Sequence, residues 1–328
     1  MTGDGLAARY DGLVCDLDGV VYAGAGAIDH ATASLNALAI PVVYATNNAS
    51  RSPHDVGEHL RSLGLHARDE AILTSSLAAA MVLARDLAPG SQVMALGGPG
   101  VAHALRAVDL CPLAPGDDGR PSAVLQGYGP RVTAADLGEA AHAIRAGARW
   151  MATNDDPTLP TERGPAPGNG SLVAAVRLAV DVDPEVIGKP HPPMYEMAAD
   201  VLGTDPARVL AVGDRLGTDI RGAVATGMAG VLVLTGVHGP ADAAAAGTDR
   251  RPDYVVEDLR ALHQDYPEAQ RYGDWSVRGD ARARVAAGRL FAEGEGMDVV
   301  RASLDAVWAA VDGGRLRGED AGRLLTNR

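Results

Sequence analysis

Leu13-Val14-Cys15-Asp16-Leu17-Asp18-Gly19-Val20 is a short apolar run that ends in two carboxylates, one residue apart, and a glycine. Residues 13–16 read as a buried strand. In extended backbone residues i and i+2 point the same way, so Asp16 and Asp18 present two carboxyls to one pocket at the strand's carboxyl end. Like charges that close need a compensating cation. Hard, oxygen-seeking Mg²⁺ supplies it, leaving one carboxylate as nucleophile and the other for proton transfer. On these residues alone, a turn that merely ends a strand is an equal reading.

Outward from this stretch the same pattern recurs: a Val- and Leu-rich run, a loop, then a segment of helical period. Strands are expected at 41–45, 92–96, 123–126, 149–153, 209–212, 231–234 and 253–256. Helices are expected at 31–38, 53–63, 101–107, 134–146, 171–179, 194–202 and 219–225, with an Ala-rich helix after Ser75 and Ser76. Near-continuous apolar strands suit a parallel sheet covered on both faces. Residues 116–121 and 157–170, rich in Pro, Gly and charge, read as loops. The tail from about Asp265 differs: an apolar 275–277, a basic stretch with Arg282, Arg284 and Arg289, then a helix at 299–311 stopped by Gly313 and Gly314.

Three further segments carry chemistry. Thr46-Asn47-Asn48-Ala49-Ser50 closes the second strand with a hydroxyl and backbone N–H groups suited to phosphate oxygens; Ser52 before Pro53 is also a helix N-cap. Gly188-Lys189-Pro190 offers an ammonium to offset a carboxylate and a phosphoryl oxygen, although a solvated surface lysine is the commoner fate. Val212-Gly213-Asp214-Arg215-Leu216-Gly217-Thr218-Asp219 brings more carboxylates to another strand end. In an open parallel sheet ligands bind beyond the carboxyl ends of the strands, so the four segments converge.

The ordered set DLDG(V), (A)TNN, GKP and GDRxxTD resembles the haloacid dehalogenase superfamily, over about residues 10–263. The resemblance implies an α/β fold with a Rossmann-like doubly wound parallel sheet as core (1–75 and 187–263), an inserted α/β cap (76–186) and a small C-terminal α+β extension (264–328). It implies a phosphatase: Asp16 as nucleophile, Asp18 as the acid and then the base, Lys189 to offset charge, and Thr46, Asn47 and Asn48 around the phosphoryl group. Mg²⁺ would be held by Asp16, Asp18 through its main-chain carbonyl, and Asp214, with Asp219 in or near the second layer. Asp18 argues against the dehalogenase branch. About 140 residues between Thr46 and Lys189 exceed what one βα unit needs, and the cap's position resembles the NagD-like and p-nitrophenyl phosphatase subfamily, class IIA. The cap segments 153–163 and 167–171, with Asn154, Asp156, Arg163 and Asn169, match most closely the actinobacterial glycerol-3-phosphate phosphatases. Glycerol 3-phosphate is therefore the expected substrate. Phosphoglycolate, pyridoxal phosphate and a nucleotide are the rivals, and a phospholigand-binding module without turnover is the non-enzyme alternative. Arg163 either reads a substrate carboxylate or pairs with Glu162 or Asp155 on the surface, the latter slightly favoured.

Gly97-Gly98-Pro99-Gly100 lacks the GxGxxG spacing of a dinucleotide loop and is set aside. The nine histidines form no metal-binding spacing. The tail resembles, faintly, an acetyltransferase-related fragment without the RxxGxG/A coenzyme loop, so no acetyl transfer is expected. The apolar stripe Val299, Val300, Leu304, Val307, Trp308 and Val311 packs against the core or forms the interface of a homodimer.

Composition supports this reading. With 328 residues and 47% hydrophobic, the chain has enough for about two domains with real cores. The 42 acidic against 29 basic residues give a net charge of −13, which removes the electrostatic footprint for nucleic acid or an anionic membrane. A phosphorylated metabolite must then be held by local charge, a metal or backbone amides. Only Cys15 and Cys111 occur, no 18-residue apolar window exists, and the first eleven residues carry charge, so a cytoplasmic protein without signal peptide or membrane span is expected.

Overall fold

The computed structural model describes residues 5–161 and 163–326. By contacts it forms two compact units: the chain up to Val42 together with everything from Leu202 onward, and Val43–Val201.

In the first unit four strands run parallel, in the order Tyr254–Val256, Ala229–Val233, Val209–Gly213, Gly12–Cys15. Gly12 pairs with Val209 and Cys15 with Val212, so the two strands end level. Both are buried at every position, as strands covered on both faces must be. The expected helix at 219–225 begins three residues earlier, as one turn of π-type hydrogen bonding at Leu216–Ile220 that continues into Arg221–Thr226.

The tail is more ordered than its sequence suggests. Its basic stretch forms two strands of an antiparallel sheet made of Gln270–Tyr272, Trp275–Arg278, Ala281–Ala286 and Arg289–Glu293. Ala281, Ala283 and Val285 are buried, while Arg282 and Arg284 stack over Trp275 at 4.6 and 4.9 Å on the other face. The period of two was present in the sequence but was carried by alanines, whose apolar signal is weak. The helix Gly296–Asp312 buries Leu304 and Val307 in one core with Ala283 and Val285 of this sheet and with Leu216, Ile220, Leu232 and Val255. Val300, Trp308 and Val311 pack on the same core. Of the two readings of the stripe, packing against the core of its own chain is the one observed.

The second unit holds the parallel pair Val42–Thr46 and Ile72–Thr74 and a five-stranded parallel sheet. The order of that sheet is Glu185–Val186, Arg149–Ala152, Ala123–Gln126, Gln92–Leu96, Cys111–Leu113. Helices start where the sequence provides caps. Ser52 accepts from the Asp55 N–H in a capping box before Pro53–Ser62, and Thr133 does the same with Asp136 before Ala134–Arg145. Helix Ser75–Asp86 is capped by Thr74. Residues 157–170, read as a loop, instead form the hairpin Thr158–Thr161 with Gly164–Pro167, and the helix Asn169–Arg177 starts before their end. Proline in both arms hid this strand pair. The strands Ile72–Thr74, Cys111–Leu113 and Glu185–Val186 are too short to declare themselves by pattern. Among the described residues no helix is long and apolar enough to cross a membrane.

Candidate active site

In the first unit the strand Gly12–Cys15 hands over to Asp16, whose N–H extends the ladder to the Val212 carbonyl at 2.9 Å. The chain then turns: Gly19 takes φ +82°, its N–H bonds the Tyr22 carbonyl at 2.9 Å, and the Val21 N–H bonds that of Leu17 at 2.8 Å. Gly19 is required twice, because a Cβ there would also lie 2.4 Å from Asp214 Oδ2. Asp18 is exposed in this turn, with the Tyr22 hydroxyl 3.4 Å from its Oδ2.

The neighbouring strand Val209–Gly213 ends at Asp214, and the following turn folds Asp219 back. Its Oδ2 accepts the Arg215 N–H at 3.0 Å and the Thr218 hydroxyl at 3.4 Å. Gly213 permits this, since a Cβ would come within 2.1 Å of Asp219 Cβ. The Val237 N–H donates to Asp214 Oδ2 at 2.8 Å. Asp16, Asp214 and Asp219 each bring one carboxylate oxygen into a group in which all lie within 4.8 Å of one another. Asp214 is 1% and Asp219 4% exposed. Three carboxylates at that spacing repel by about 3.5 kcal/mol per pair at an effective dielectric of about 20. An all-oxygen donor set in a cradle of glycines with no space for a Cβ fits a small hard divalent cation. The carboxylate of Asp18 is not in this group.

In the second unit Asn47 is a hub. Its Nδ2 donates to Asp156 Oδ2 at 3.0 Å and to the Lys189 carbonyl at 2.9 Å, and its Oδ1 accepts the Lys189 N–H at 2.8 Å. The Asn47 carbonyl in turn accepts from Asn154 Nδ2 and from the Ser75 hydroxyl, both at 2.8 Å. Asn169 Nδ2 donates to the Asn154 carbonyl at 2.6 Å, and the Gly188 N–H to the Thr153 carbonyl at 2.9 Å. Lys189, Thr46, Asn154 and Asn169 are all buried. The Lys189 backbone is therefore clamped on both sides by one side-chain amide. Thr46 Oγ1 accepts the Asn48 N–H at 3.0 Å, and the exposed Asn48 side chain accepts from the Ser50 N–H and hydroxyl.

Of the other residues singled out in the sequence, Arg163 lies exposed at the tip of the hairpin; Glu162, its suggested partner, falls outside the described residues. Asp155 instead meets His191 at 3.4 Å. Asp69, at 2.8 Å, raises the pKa of the exposed His54 above its ordinary value. Gly97–Gly100 serves close approach of backbones, because a Cβ on Gly100 would lie 2.4 Å from the Ala49 carbonyl oxygen. Sequence reasoning missed the side chain of Asn47 as an organiser. It also missed Thr235 and Val237, although Leu234-Thr235-Gly236 follows an apolar strand just as the recognised motifs do.

Comparison with known proteins agrees with this geometry. A haloacid dehalogenase-like hydrolase model matches residues 13–111, and a second, HAD-hydrolase-like model matches 186–262. The D-glycerol 3-phosphate phosphatase of Mycobacterium tuberculosis is 45% identical over 314 residues, covering 93% of this chain and 88% of that protein. The acid sugar phosphatase of Staphylococcus aureus is 36% identical over 254 residues, 76% of this chain and 96% of its own. The crystal structure of the M. tuberculosis glycerol phosphate phosphatase in complex with magnesium superposes with a TM-score of 0.85 at 43% identity, covering 94% of this chain and 93% of that one. The p-nitrophenyl phosphatase from Archaeoglobus fulgidus gives 0.71 at 30% identity, over 78% and 98%. With carboxylates at two adjacent strand ends, and relatives matched over most of its length, the chain belongs to the haloacid dehalogenase-like hydrolases.

Proposed function

We propose that the protein is a Mg²⁺-dependent phosphomonoesterase that hydrolyses glycerol 3-phosphate through an aspartyl-phosphate. The observation that carries the reading is the group of Asp16, Asp214 and Asp219 at the ends of two paired parallel strands. The cation such a group calls for accords with the crystal structure of a relative, a glycerol phosphate phosphatase, in complex with magnesium. Asp16, Asp214 and Asp219, with the Asp18 carbonyl, would hold the Mg²⁺, which supplies the positive charge that lets carboxylates and a phosphate coexist.

In this reading the Asp16 carboxylate attacks phosphorus in line. Asp18 protonates the departing alcohol oxygen and later takes a proton from the water that hydrolyses the acyl phosphate. Its exposure and the hydroxyl of Tyr22 beside it suit a group that exchanges protons. Thr46 and the Asn47 and Asn48 amides bind phosphoryl oxygens, and the Lys189 ammonium offsets charge on them. The clamp of Asn47 on the Lys189 backbone supports that assignment, because an ammonium placed by a fixed main chain needs no reorganisation.

Residues 76–186 are proposed as the cap that selects the leaving group, with Asn154, Asp156, Arg163 and Asn169 as its polar candidates. Asn154, Asp156 and Asn169 all join the Asn47 network, so their proposed part is to shape the pocket, whereas Arg163 is the one exposed at a tip. Cytoplasmic residence is proposed from the two cysteines, both free thiols.

The test is phosphate release from glycerol 3-phosphate, phosphoglycolate, pyridoxal phosphate and p-nitrophenyl phosphate with Mg²⁺, for the wild type and Asp16→Asn. A preference for glycerol 3-phosphate that Asp16→Asn abolishes is expected. Equal low efficiency on all four overturns the substrate, and no Asp16-dependent turnover on any overturns the enzyme reading in favour of a binding module.

A further inference from the structure

The strand Ala229–Val233 runs out into Leu234-Thr235-Gly236-Val237-His238, a segment given no part in the chemistry above. We infer that this loop positions both arms of the carboxylate centre, Thr235 through its hydroxyl and Val237 through its amide, and so sets the centre's affinity for its divalent cation. The inference rests on the reading of Asp16, Asp214 and Asp219 as ligands.

Thr235 Oγ1 donates to the Gly19 carbonyl at 2.7 Å. That carbonyl belongs to the turn following Asp16 and Asp18, whose course depends on the positive φ of Gly19. A glycine turn has few intrinsic constraints, and the threonine supplies one from another strand. On the second arm, the Val237 N–H bonds Asp214 Oδ2 at 2.8 Å, which fixes the rotation of that carboxylate. The His238 N–H donates to the Asp214 main-chain carbonyl at 3.2 Å. The ring Nδ1 of His238 accepts the Leu216 N–H at 3.1 Å, in the turn that carries Asp219.

Only glycine fits between these contacts: a Cβ on Gly236 would lie 2.0 Å from Asp214 Oδ2. The loop is held from behind as well. It leads into the short helix Pro240–Ala244, whose Ala243 carbonyl accepts the Trp308 Nε1 proton at 2.9 Å. Outer partners of this kind orient metal-binding carboxylates, and removing one weakens metal affinity by about 10- to 100-fold.

The experiment is calorimetric titration of the full chain with MgCl₂ alone, without phosphate ester, for the wild type, Thr235→Val, Thr235→Ser and Gly236→Ala. Melting in EDTA checks that each variant is folded. The expected result is a dissociation constant about 10- to 100-fold weaker for Thr235→Val and Gly236→Ala, with Thr235→Ser close to wild type. Should the Cβ of Gly236→Ala, 2.0 Å from Asp214 Oδ2, prevent folding, the two Thr235 variants decide. Wild-type affinity in Thr235→Val overturns the inference, as does a Thr235→Ser as weak as Thr235→Val, which would assign the effect to packing. A wild type that binds Mg²⁺ no more tightly than Thr235→Val refutes the inference alone, whereas a wild type that binds no Mg²⁺ refutes the ligand reading together with it.

Discussion

Replacing Asp214 by asparagine is expected to make the metal-free protein more stable while removing its response to Mg²⁺. Asp214 takes part in two of the three carboxylate pairs of the centre, each worth about 3.5 kcal/mol of repulsion at 4.8 Å and an effective dielectric of about 20. Asp16 is half-buried, and solvent there roughly halves its pair, which leaves about 5 kcal/mol. Relaxation of side chains in the charged state removes about half of that again. Against the remainder stands the bond from the Val237 N–H, 2.8 Å to a carboxylate oxygen, which weakens by about 1 kcal/mol when its acceptor becomes a neutral amide. The balance is a gain of roughly 1–2 kcal/mol, or a melting temperature several degrees higher in EDTA. Mg²⁺ at 100 times its dissociation constant stabilises the wild type by about 2.7 kcal/mol, and the variant forgoes most of this, so the order of the two melting curves reverses on adding metal. Scanning calorimetry of both proteins, each in EDTA and in Mg²⁺, reads the reversal. A variant that melts below the wild type in EDTA, or that gains as much from Mg²⁺, would refute the reasoning that charge repulsion in this centre awaits a cation.

Asn47→Ala should lower kcat/KM by about 10- to 100-fold and destabilise the chain by about 2–4 kcal/mol, because the Lys189 N–H and carbonyl and the Asp156 carboxylate lose their shared partner; steady-state kinetics and urea denaturation check the two halves separately. Gly100→Val should be poorly tolerated, with a clear loss of melting temperature, since its Cβ meets the Ala49 and Arg51 carbonyl oxygens at 2.4 and 2.7 Å. At alkaline pH, burial lifts the phenols of Tyr266 and Tyr10 above the ordinary tyrosine value. The neutral form is the one the fold favours, so this stability is full below the unfolded pKa near 10 and is lost as pH rises through the folded value; urea midpoints should fall above about pH 10, and less steeply in Tyr266→Phe. Leu304→Ala, deep in the core that the tail shares with Leu216 and Ile220, should cost about 2–5 kcal/mol, read as a drop in melting temperature.

Legibility in the sequence followed the strength of local signals. Asp16, Asp214 and Asp219 were readable because strand ends in a parallel sheet collect at one edge, and an apolar run followed by carboxylates marks such an end. The helices with Ser52 and Thr133 caps were readable for the same local reason. Asn47 was placed correctly on the second strand's end but was expected to act through its backbone amide. What its side chain does depends on Lys189, 142 residues away, and no pattern in either segment announces it. Thr235 acts on Gly19 across 216 residues, which is equally silent in sequence. The α+β character of the tail came with the family resemblance, but its strands could not be placed one by one, because Ala281, Ala283 and Ala292 give the inward face too little hydrophobicity to distinguish strand from loop.

The tail's place in the fold bears on what it is for. A strand at the edge of a parallel sheet leaves N–H and carbonyl groups unpaired on its outer side, open to association with other chains. In this protein the edge strand is Tyr254–Val256, and the tail supplies its cover. The Val255 N–H donates to the Tyr266 hydroxyl at 3.0 Å, and Arg301 Nε donates to the Val255 carbonyl at 3.0 Å. Arg301 also stacks on the Tyr266 ring at 4.2 Å, so the two caps brace each other. From the same helix Trp308 reaches the Ala243 carbonyl behind the loop that holds Asp214. A family member such as the acid sugar phosphatase matches over 96% of its own length yet only 76% of this chain. The tail thus covers the edge strand and, through Trp308, braces the loop that holds Asp214, two structural uses of that length.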